Sequence, residues 1–513
     1  MRYIASVDRD QLQLAPLCLD DMVDENNPCR LIDVFCDSLN MKELGFKNAE
    51  TAETGRPPFD PREFLKLYLY GYYNTITSSG RLAMETTRNI EVMWLIHNLR
   101  PKKRVLCYFK ANNEEAIKKV FREFNKFYKQ LGLFGNEIIG VDSVKIRANN
   151  GKKNNHTRTA VEKRLKQLEE NIDKYFKMLS ETDEQENDDG EPQIPVSQIK
   201  EILSSLQEKK QKYENYHQQI NESKEEQIST VDVDSRLMKQ GSGKGLHVSY
   251  NTQVAVDSKN KMIVEFETTN QANDLGRLEN ITEKAKEFLE TKKIIALADS
   301  GYYDSTDILK CEGKGTTCLV PATKKSHQAK DSKYSIENFS YDKEKNMYTC
   351  PEGIELKFMR EVEKDGKVFL IYANYSTCRN CPVKDLCTKC KKGREVSRSS
   401  NQDEMDMLNI RFESMREIYD KRLEIVEHPF GTIKWVWGFN RYQTRGFKKV
   451  GTENALIFCT YNLKRAVNIV GIKKLIEEIR SRFPRFWDML CKINFISWQK
   501  LSILQNIYIL IMN

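Results

Sequence analysis

Apolar residues recur at helical spacing through the first part of the chain. One amphipathic run starts at Asp60 or Pro61, and a second extends over residues 81–99. We therefore predict a helical region over residues 1–125, built of short helices and small turns. Such a region is typical of helix-turn-helix-like DNA binding. A helical packing or dimerisation domain is the alternative interpretation.

Strand patterns replace the helical spacing after residue 136. They cover residues 137–147, 245–256, 262–268, 294–299 and 317–320. The second and third are separated by a short turn and predict a hairpin, whereas the fourth is a continuous apolar run, typical of a buried central strand. Asn273 and Asp274 are predicted to cap a helix that ends at Glu290. Helical spacing returns over residues 403–468, and this order predicts an α/β fold with a mixed sheet flanked by helices.

Two segments of different composition interrupt this alternation. Residues 160–225 are rich in Glu, Lys, Gln and Leu, and they predict a helical hairpin inserted over residues 151–228. Residues 324–400 are rich in Lys and Cys and form a second insertion. At the end of the chain, residues 471–513 are predicted to form a helical tail, whose apolar stretch is interrupted too often by polar residues to cross a membrane.

Composition narrows the class of protein. The 513 residues have a net charge of +8, with 30% charged and 39% apolar residues. This mild basic excess permits nucleic-acid binding without requiring it, and Lys and Arg cluster locally at residues 100–104 and 145–153. No secretory signal opens the sequence, so we expect a cytoplasmic location and reduced thiols at most of the thirteen cysteines.

Two aspartates occupy positions where an isolated charge is costly. Asp142 lies between apolar residues in the middle of a predicted strand. Asp299 ends the predicted central strand, at the edge where open α/β sheets usually place their ligand sites. Magnesium is the hard cation that such oxygen ligands select. For either aspartate alone, capping of a turn is the simpler explanation.

A third carboxylate belongs to a charged helical segment. Tyr419, Arg422, Glu427 and Lys434 follow one another with two, four and six residues between them. Glu427 and Lys434 are expected on one helical face, so that the carboxylate could bind a metal while flanking cations bind phosphates. Pro429 is predicted to kink this helix. A surface helix stabilised by charged pairs is the alternative.

Aromatic and basic residues alternate beyond this segment. They are Trp435, Trp437, Phe439 and Tyr442 on the one hand, and Lys434, Arg441, Arg445, Lys448 and Lys449 on the other. This composition suits stacking on exposed bases combined with phosphate contacts. The alternative places the tryptophans in the core, with Trp435 expected there first. His428 could bind metal or DNA, although a structural role is commoner for a single histidine.

Five cysteines are concentrated in the second insertion. Cys378 with Cys381, and Cys387 with Cys390, have the two-residue spacing found in zinc sites. Only five residues separate the two pairs, and replacing Cys390 by Cys350 in the ligand set would relieve this crowding. The predicted structural zinc site therefore consists of Cys350, Cys378, Cys381 and Cys387. Unliganded reduced thiols are the alternative, and an iron–sulfur cluster fits the spacing less well.

Six further short motifs occur in the same sequence as the tyrosine-arginine-glutamate-lysine segment. They are Gly55–Pro58, Gly140–Ser143, Asp232–Met238, Tyr250–Asp257, Ala298–Tyr302 and Val426–Lys434. Together they resemble the DDE-type insertion-sequence transposases, in particular their eleven-eighty-two branch, over residues 50–465. The interval between Arg422 and Glu427 is one residue longer than in the family. Val426 occupies the position where the family spacing would place the glutamate, and its side chain cannot bind a metal.

The resemblance implies an RNase H-like catalytic core over residues 136–323 plus 401–470. It implies that Asp142 bridges two Mg²⁺ or Mn²⁺ ions, with Asp299 binding one ion and Glu427 the other. Water would release a 3′-hydroxyl at the transposon end, and this hydroxyl would then attack target DNA.

The same resemblance implies the partners of the chain. The expected DNA- and phosphate-binding residues are Tyr419, Arg422, Lys434, Arg441, Arg445 and Lys448. The substrate would be double-stranded DNA, namely terminal inverted repeats and target DNA, bound by a homodimer, with no small-molecule substrate and no membrane. Asp232, Asp234 and Asp257 are rival carboxylates that rank below the first three. An RNase H-like nuclease or resolvase without strand transfer, and a catalytically inactive DNA-binding protein, are the alternative functions.

Overall fold

A computed structural model describes most of the chain. The described residues are 18–50, 57–185, 195–223, 225–240, 245–322, 332–364 and 367–482. The start of the Gly55–Pro58 motif, the first residues of the cysteine-rich insertion and residues 483–513 of the predicted tail lie outside them. None of the helices in this described part combines the length and the apolar composition that crossing a membrane requires.

The chain has a mixed α/β architecture with a helical N-terminal region. The helices are α1 (Pro28–Ser38), α2 (Met41–Leu44), α3 (Pro61–Tyr73), α4 (Ser79–Glu85), α5 (Ile90–Leu95), α6 (Lys103–Asn112), α7 (Glu114–Gln130), α8 (Arg158–Gln185), α9 (Val196–Ser223), α10 (Leu278–Leu289), α11 (Ser305–Gly313), α12 (Tyr375–Arg379), α13 (Lys384–Cys387), α14 (Gln402–Ser414), α15 (Arg416–Asp420), α16 (Arg422–Gly431), α17 (Phe447–Val470) and α18 (Ile472–Arg482). The strands are β1 (Ile138–Arg147), β2 (Asn155–Thr157), β3 (Gln227–Ser229), β4 (Arg236–Lys239), β5 (Leu246–Asp257), β6 (Ile263–Thr269), β7 (Ile294–Ala298), β8 (Thr316–Leu319), β9 (Ser340–Asp342), β10 (Met347–Thr349), β11 (Glu355–Lys364), β12 (Lys367–Ala373) and β13 (Glu395–Ser399).

These elements form two compact units. Unit 1 comprises Met1–Gly135, Ser143–Ala272 and Glu427–Asn513, and unit 2 comprises Asn136–Asp142 and Asn273–Val426. Strand β1 and helix α16 each pass from unit 2 into unit 1 along the chain. The predicted catalytic core is therefore divided between the two units.

The N-terminal helices of unit 1 start where the pattern of apolar residues predicts. Helix α3 begins at Pro61, and the Asp60 side chain caps it by accepting a hydrogen bond from the Arg62 backbone N–H at 2.8 Å. Most of α3 is buried because it packs against both α1 and α17. The prediction of a helical N-terminal region is confirmed.

A buried lysine joins α3 to α1. The Lys66 ammonium lies 2.7 Å from Asp33 Oδ1 and 2.8 Å from Asp37 Oδ1, and Glu63 completes the group. Burial opposes the charge of Lys66, but the carboxylates, first that of Asp33, raise its pKa above the ordinary value. Lys66 therefore remains charged, and it offsets several negative charges that are shielded from water.

Helix α17 forms the centre of unit 1, where it packs against α3, α7 and β6. Its Asn462 side chain is fully buried, accepts a hydrogen bond from the Ile263 backbone N–H at 2.8 Å and donates to Asn125 Oδ1 at 2.8 Å. One amide thus satisfies polar groups on a strand and on a second helix. This fixes the position of α17 along both neighbours.

The strands of unit 1 are antiparallel where β5 pairs with β4 and β6. The β5–β6 hairpin confirms the prediction from the sequence. Helices α8 and α9 pack against each other, with Ile172 facing Ile199 and Leu203 in a small apolar cluster. At the base of this helical hairpin β2 pairs with β3, and His156 lies opposite Ile228.

Unit 2 contains a parallel arrangement in which β7 lies between β1 and β8. The strongly apolar sequence of β7 reflects its burial between these neighbours, as predicted. The helix that follows the hairpin begins at Leu278, and its first N–H donates to the Asp307 carboxylate at 2.8 Å. The predicted cap at Asn273 and Asp274 is therefore wrong, because an acid distant in sequence takes that role.

A second sheet of unit 2 is antiparallel, in the order β13-β12-β11-β10-β9. Its core is small, and α12 and α13 cover it next to three of the cysteines. The buried cluster consists of Phe339, Tyr348, Leu356, Tyr372, Cys378 and Val396.

Strand β1 and helix α16 approach each other closely in unit 2. A Cβ atom at Gly140 would lie 2.7 Å from Val426 Cγ1 and 2.8 Å from Ile425 Cγ2, both well inside ordinary contact. Ile425 and Val426 are buried, so they have little space to move. Only glycine fits at this position of β1.

Replacement of Lys66 by Met tests the buried charge. We expect Lys66→Met to lower the free energy of unfolding by about 3 kcal/mol, because the carboxylates lose their cation in a dry environment. Urea denaturation monitored by circular dichroism measures this. Lys42→Met, which removes an exposed ion pair with Glu50, is the matched control and should cost less than about 1 kcal/mol. Equal losses in both variants would contradict the argument.

Replacement of Gly140 by Ala tests the close approach of β1 and α16. We expect Gly140→Ala to destabilise the fold by about 1–3 kcal/mol, since the added methyl group overlaps two buried side chains. The control is Gly431→Ala in the same helix, where a Cβ meets no atom within 4 Å. The control should match or exceed the wild type in thermal stability, because Ala favours a helix more than Gly does. A Gly140→Ala midpoint as high as that of the control would rule out the packing constraint.

Candidate active site

Asp142 and Asp299 lie at the same edge of the parallel strands of unit 2. Val141 of β1 is paired with Ala298, the last residue of β7, and the two aspartates are the residues that directly follow this pair. Parallel register therefore brings the two carboxylates side by side. Their side chains are 23% and 44% exposed, so both are accessible from solvent.

Arg422 connects the two aspartates. Its Nη2 donates to Asp142 Oδ2 at 3.2 Å and lies 3.7 Å from Asp299 Oδ2. The arginine side chain is only 8% exposed, and its Nε finds no hydrogen-bond acceptor among the described residues. One buried cation thus offsets the repulsion between two neighbouring carboxylates. Although the interval between Arg422 and Glu427 is one residue longer than in the resembling family, Arg422 still contacts the aspartate pair.

The chemistry of this pair suits a divalent cation. Asp142 and Asp299 present hard oxygen atoms to a shared positive charge, and such donors select Mg²⁺ or Mn²⁺. Within the described ranges, no group of three or more His, Cys, Asp or Glu side chains is arranged as a complete metal site. The pair therefore fits part of an ion's coordination, and further ligands must complete it.

Asp274 is a fourth carboxylate that the sequence interpretation missed. A Cβ atom at Gly301 would lie 2.9 Å from Asp299 Oδ1 and 3.7 Å from Asp274 Oδ2, which places the two acids close together. Tyr302 is fully buried beside them, and burial, reinforced by the negative charge of Asp274, raises its pKa. An acid in a polar loop before a helix resembles an ordinary cap, so no local pattern reveals this position.

Tyr419 lies on α15, one short helix before Arg422. Its ring makes an edge-on contact with that of Phe412, with centroids 4.8 Å apart and an angle of 63° between the ring planes. Burial raises the pKa of Tyr419, and the charges of Arg422 and Asp299 act on it in opposite directions. The phenol is therefore neutral at physiological pH and lies near the aspartate pair.

Glu427 occupies an exposed position on α16, in the part of the helix that belongs to unit 1. It follows Arg422 by five residues, and α16 continues past Pro429. From Thr432 to Val436 the backbone forms a π-helix, which has more residues per turn than an α-helix. The prediction that Glu427 and Lys434 share one helical face assumed α-helical spacing between them. The π-helical segment interrupts that spacing, so the predicted face does not extend to Lys434.

The exposure of the aromatic residues after α16 corrects one expectation. Trp435 is 74% exposed, so the interpretation that placed it in the core is wrong. Trp437 is partly covered by Tyr461 and by the ammonium of Lys464, which lies 4.7 Å from the indole centroid. The π-helical turn shifts which side chains face inward, and this shift is invisible in composition.

The basic residues that follow are held next to the end of β1 within unit 1. Arg441 forms a parallel bridge with Arg147, and the Arg445 Nε donates to the Asn149 carbonyl at 3.0 Å. Arg441, Arg445 and Lys448 are exposed. The segment therefore presents several positive charges on a backbone that is fixed by hydrogen bonds.

The three rival carboxylates have structural roles in unit 1. Asp232 accepts hydrogen bonds from the Gly446 N–H at 3.1 Å and the Tyr250 hydroxyl at 2.7 Å, and Asp234 accepts from the Phe447 N–H. These bonds hold the start of α17. Asp257 accepts from the backbone of residues 135 and 259.

His428 forms hydrogen bonds with two neighbouring side chains of unit 1. Its Nδ1 lies 2.7 Å from the Tyr461 hydroxyl, and its Nε2 lies 3.3 Å from Arg465 Nη1. Arginine can only donate, so Nε2 accepts and Nδ1 bears the proton. This arrangement supports the structural interpretation of His428.

Two family models match parts of the chain. A model described as "Transposase DDE domain" matches residues 349–467, and one described as "Transposase domain (DUF772)" matches residues 17–112. No curated protein and no solved structure matches significantly. The first match includes Arg422 and Glu427, and the second covers most of the helical N-terminal region. Together the two matches support an insertion-sequence transposase of the DDE type.

Proposed function

We propose that the chain cuts DNA at the ends of a mobile element and joins the cut end to target DNA. The observation that supports this proposal most directly is the pair Asp142 and Asp299, bridged by Arg422 at the carboxyl edge of parallel strands. The transposase matches supply the class of substrate. The chain order strand, hairpin, helix, strand is that of an RNase H-like core, which we infer for the catalytic part.

We assign Asp142, Asp299 and Glu427 as the carboxylates that bind divalent metal ions. Such ions, when bound, stabilise negative charge on the attacking and leaving oxygens of an in-line displacement. Arg422 keeps the aspartates together by placing its positive charge between them. Glu427 is included because the segment from Tyr419 to Lys434 resembles the signature of DDE-type transposases.

The reaction would consist of two displacements at phosphorus. In the first, water attacks a phosphodiester at the end of the element, a P–O bond forms, and the 3′-oxygen leaves as a hydroxyl. In the second, that hydroxyl attacks a phosphodiester of target DNA and releases a new 3′-hydroxyl. No covalent bond to the protein is required, so the protein contributes positioning and charge stabilisation.

The exposed basic segment of unit 1 would hold the DNA backbone. Lys434, Arg441, Arg445 and Lys448 provide positive charge for phosphates, and Trp435 offers an exposed ring for an unstacked base. Helices of the N-terminal region would bind the terminal repeats. Two copies of the chain would bring two ends together.

Cleavage of labelled transposon-end DNA tests the assignment of Asp299. We expect Asp299→Asn to bind DNA but to cut at least roughly 100-fold more slowly with Mg²⁺, because a charged metal ligand is replaced by a neutral one. The matched control is Asp420→Asn, which changes an exposed acid paired with Arg416 on α15. The control should cut at the wild-type rate.

Three outcomes of this assay separate the hypotheses. If Asp299→Asn cuts as fast as Asp420→Asn, the assignment of Asp299 is wrong. A wild type that cuts but cannot join a pre-cleaved 3′-hydroxyl end to target DNA would favour a nuclease without strand transfer. Binding without cleavage by the wild type would favour an inactive DNA-binding protein.

The salt dependence of DNA binding tests the basic segment. We expect Lys448→Ala to weaken binding to all DNA sequences and to reduce the slope of log affinity against log salt by about 1, because one phosphate contact is lost. Fluorescence anisotropy across a salt series measures the slope. Lys126→Ala, which removes an exposed charge paired with Glu123, should leave it unchanged. The same slope in both variants would argue against a phosphate contact at Lys448.

A further inference from the structure

Four cysteine side chains of unit 2 line one small cavity beside the antiparallel sheet. They are Cys350, Cys378, Cys381 and Cys387. The cavity has a volume of about 30 Å³, comparable with the share of one water molecule in the liquid, and apolar side chains make up much of its lining. Cys390, the fifth cysteine of this region, is exposed and does not line the cavity. The geometry thus separates four thiols from the fifth.

Backbone turns present these cysteines toward the cavity. After Cys350, the Gly353 N–H donates to the Cys350 carbonyl at 2.8 Å and the Ile354 N–H donates to the Cys350 sulfur at 3.3 Å. The Cys381 N–H donates to the Cys378 carbonyl, which closes a tight turn between these two residues. Backbone N–H groups that point at sulfur stabilise thiolate ligands of a metal.

At Gly393 the backbone passes close to Cys378, one of the cysteines that line the cavity. Its φ of +126° is one that L side chains rarely adopt, and a Cβ atom there would lie 2.7 Å from the Cys378 Cβ. The close approach places the next residue, Arg394, in the lining of the cavity.

Arg394 is a buried cation in this lining, and Glu352, the carboxylate among the lining residues, is already paired with Lys333. The arginine is 7% exposed, its guanidinium lies 5.4 Å from the Phe339 ring, and its Nη1 donates to the Cys387 carbonyl. Its Nε has no acceptor within the part of the chain that the structure describes. A buried charge is costly unless an opposite charge compensates it. Four thiolates around a divalent ion leave a net negative charge, which would compensate the charge of this guanidinium.

We propose that Cys350, Cys378, Cys381 and Cys387 bind one structural Zn²⁺ ion, with Arg394 as the nearby compensating charge. Zinc takes four thiolates in a closed tetrahedral site. The thiols do not form a complete ligand set at binding distances in the described structure. Ion binding would therefore require the cysteine side chains to move, for which rotation about their Cα–Cβ bonds is available. The ion would add stability to a sheet whose buried apolar cluster is small.

Metal analysis of the full chain tests this proposal. We expect about one zinc per chain after purification without chelators, and the visible absorption of tetrahedral thiolate cobalt after exchange with Co²⁺. Cys381→Ser should lower zinc affinity at least about 100-fold. The matched control Cys390→Ser should bind zinc like the wild type. Arg394→Met retains all four ligands and should lower zinc affinity about tenfold.

Several results would overturn the proposal. They are a wild-type chain that binds no zinc and has all its thiols free, disulfides among the four cysteines, iron with sulfide instead of zinc, and a loss of zinc in Cys390→Ser as large as in Cys381→Ser. If Cys381→Ser does not fold, the zinc content and the cobalt spectrum of the wild-type chain decide the question by themselves.

Discussion

Strand β1 and helix α16 can touch only because residue 140 has no side chain. Arg422 precedes the contact residues of α16 by one turn, and Asp142 follows Gly140 by two residues in β1. The close packing therefore sets the distance from the guanidinium to Asp142, and the parallel register of β7 adds Asp299 to the same group. The close contact of β1 with α16 at Gly140 thus determines where the positive and negative charges of the candidate active site lie.

Local sequence patterns predicted the strands that bear the two aspartates, but they did not predict which other side chains surround the pair. The strand around Asp142 and the apolar run before Asp299 have signals that depend only on neighbours in sequence. The proximity of Asp274 depends on loops that are distant along the chain, and no local pattern encodes it. Trp435 was misplaced because a π-helical segment changes the face on which a residue lies, while the composition stays the same.

Buried arginines recur beside both groups of candidate metal ligands. Arg422 lies against two carboxylates and Arg394 lines the same cavity as four cysteines, and the Nε of each lacks an acceptor among the described residues. The ligand chemistries differ, since accessible oxygen atoms suit exchangeable hard ions whereas enclosed sulfur atoms suit a permanent soft one. At the aspartate pair the buried cation offsets negative charge that is present, whereas at the cysteines it would do so only once the thiols are deprotonated by the proposed ion.

Within unit 1, the helical hairpin of α8 and α9 begins and ends next to the paired strands β2 and β3. His156 and Ile228 are partners in that pairing, so the ends of the intervening chain are about 5 Å apart whatever its length. The entropy of closing a loop grows only with the logarithm of its length. Changes in the length of chain between β2 and β3 therefore cost little free energy of loop closure, and the pairing of these strands can stay fixed while the hairpin changes in size.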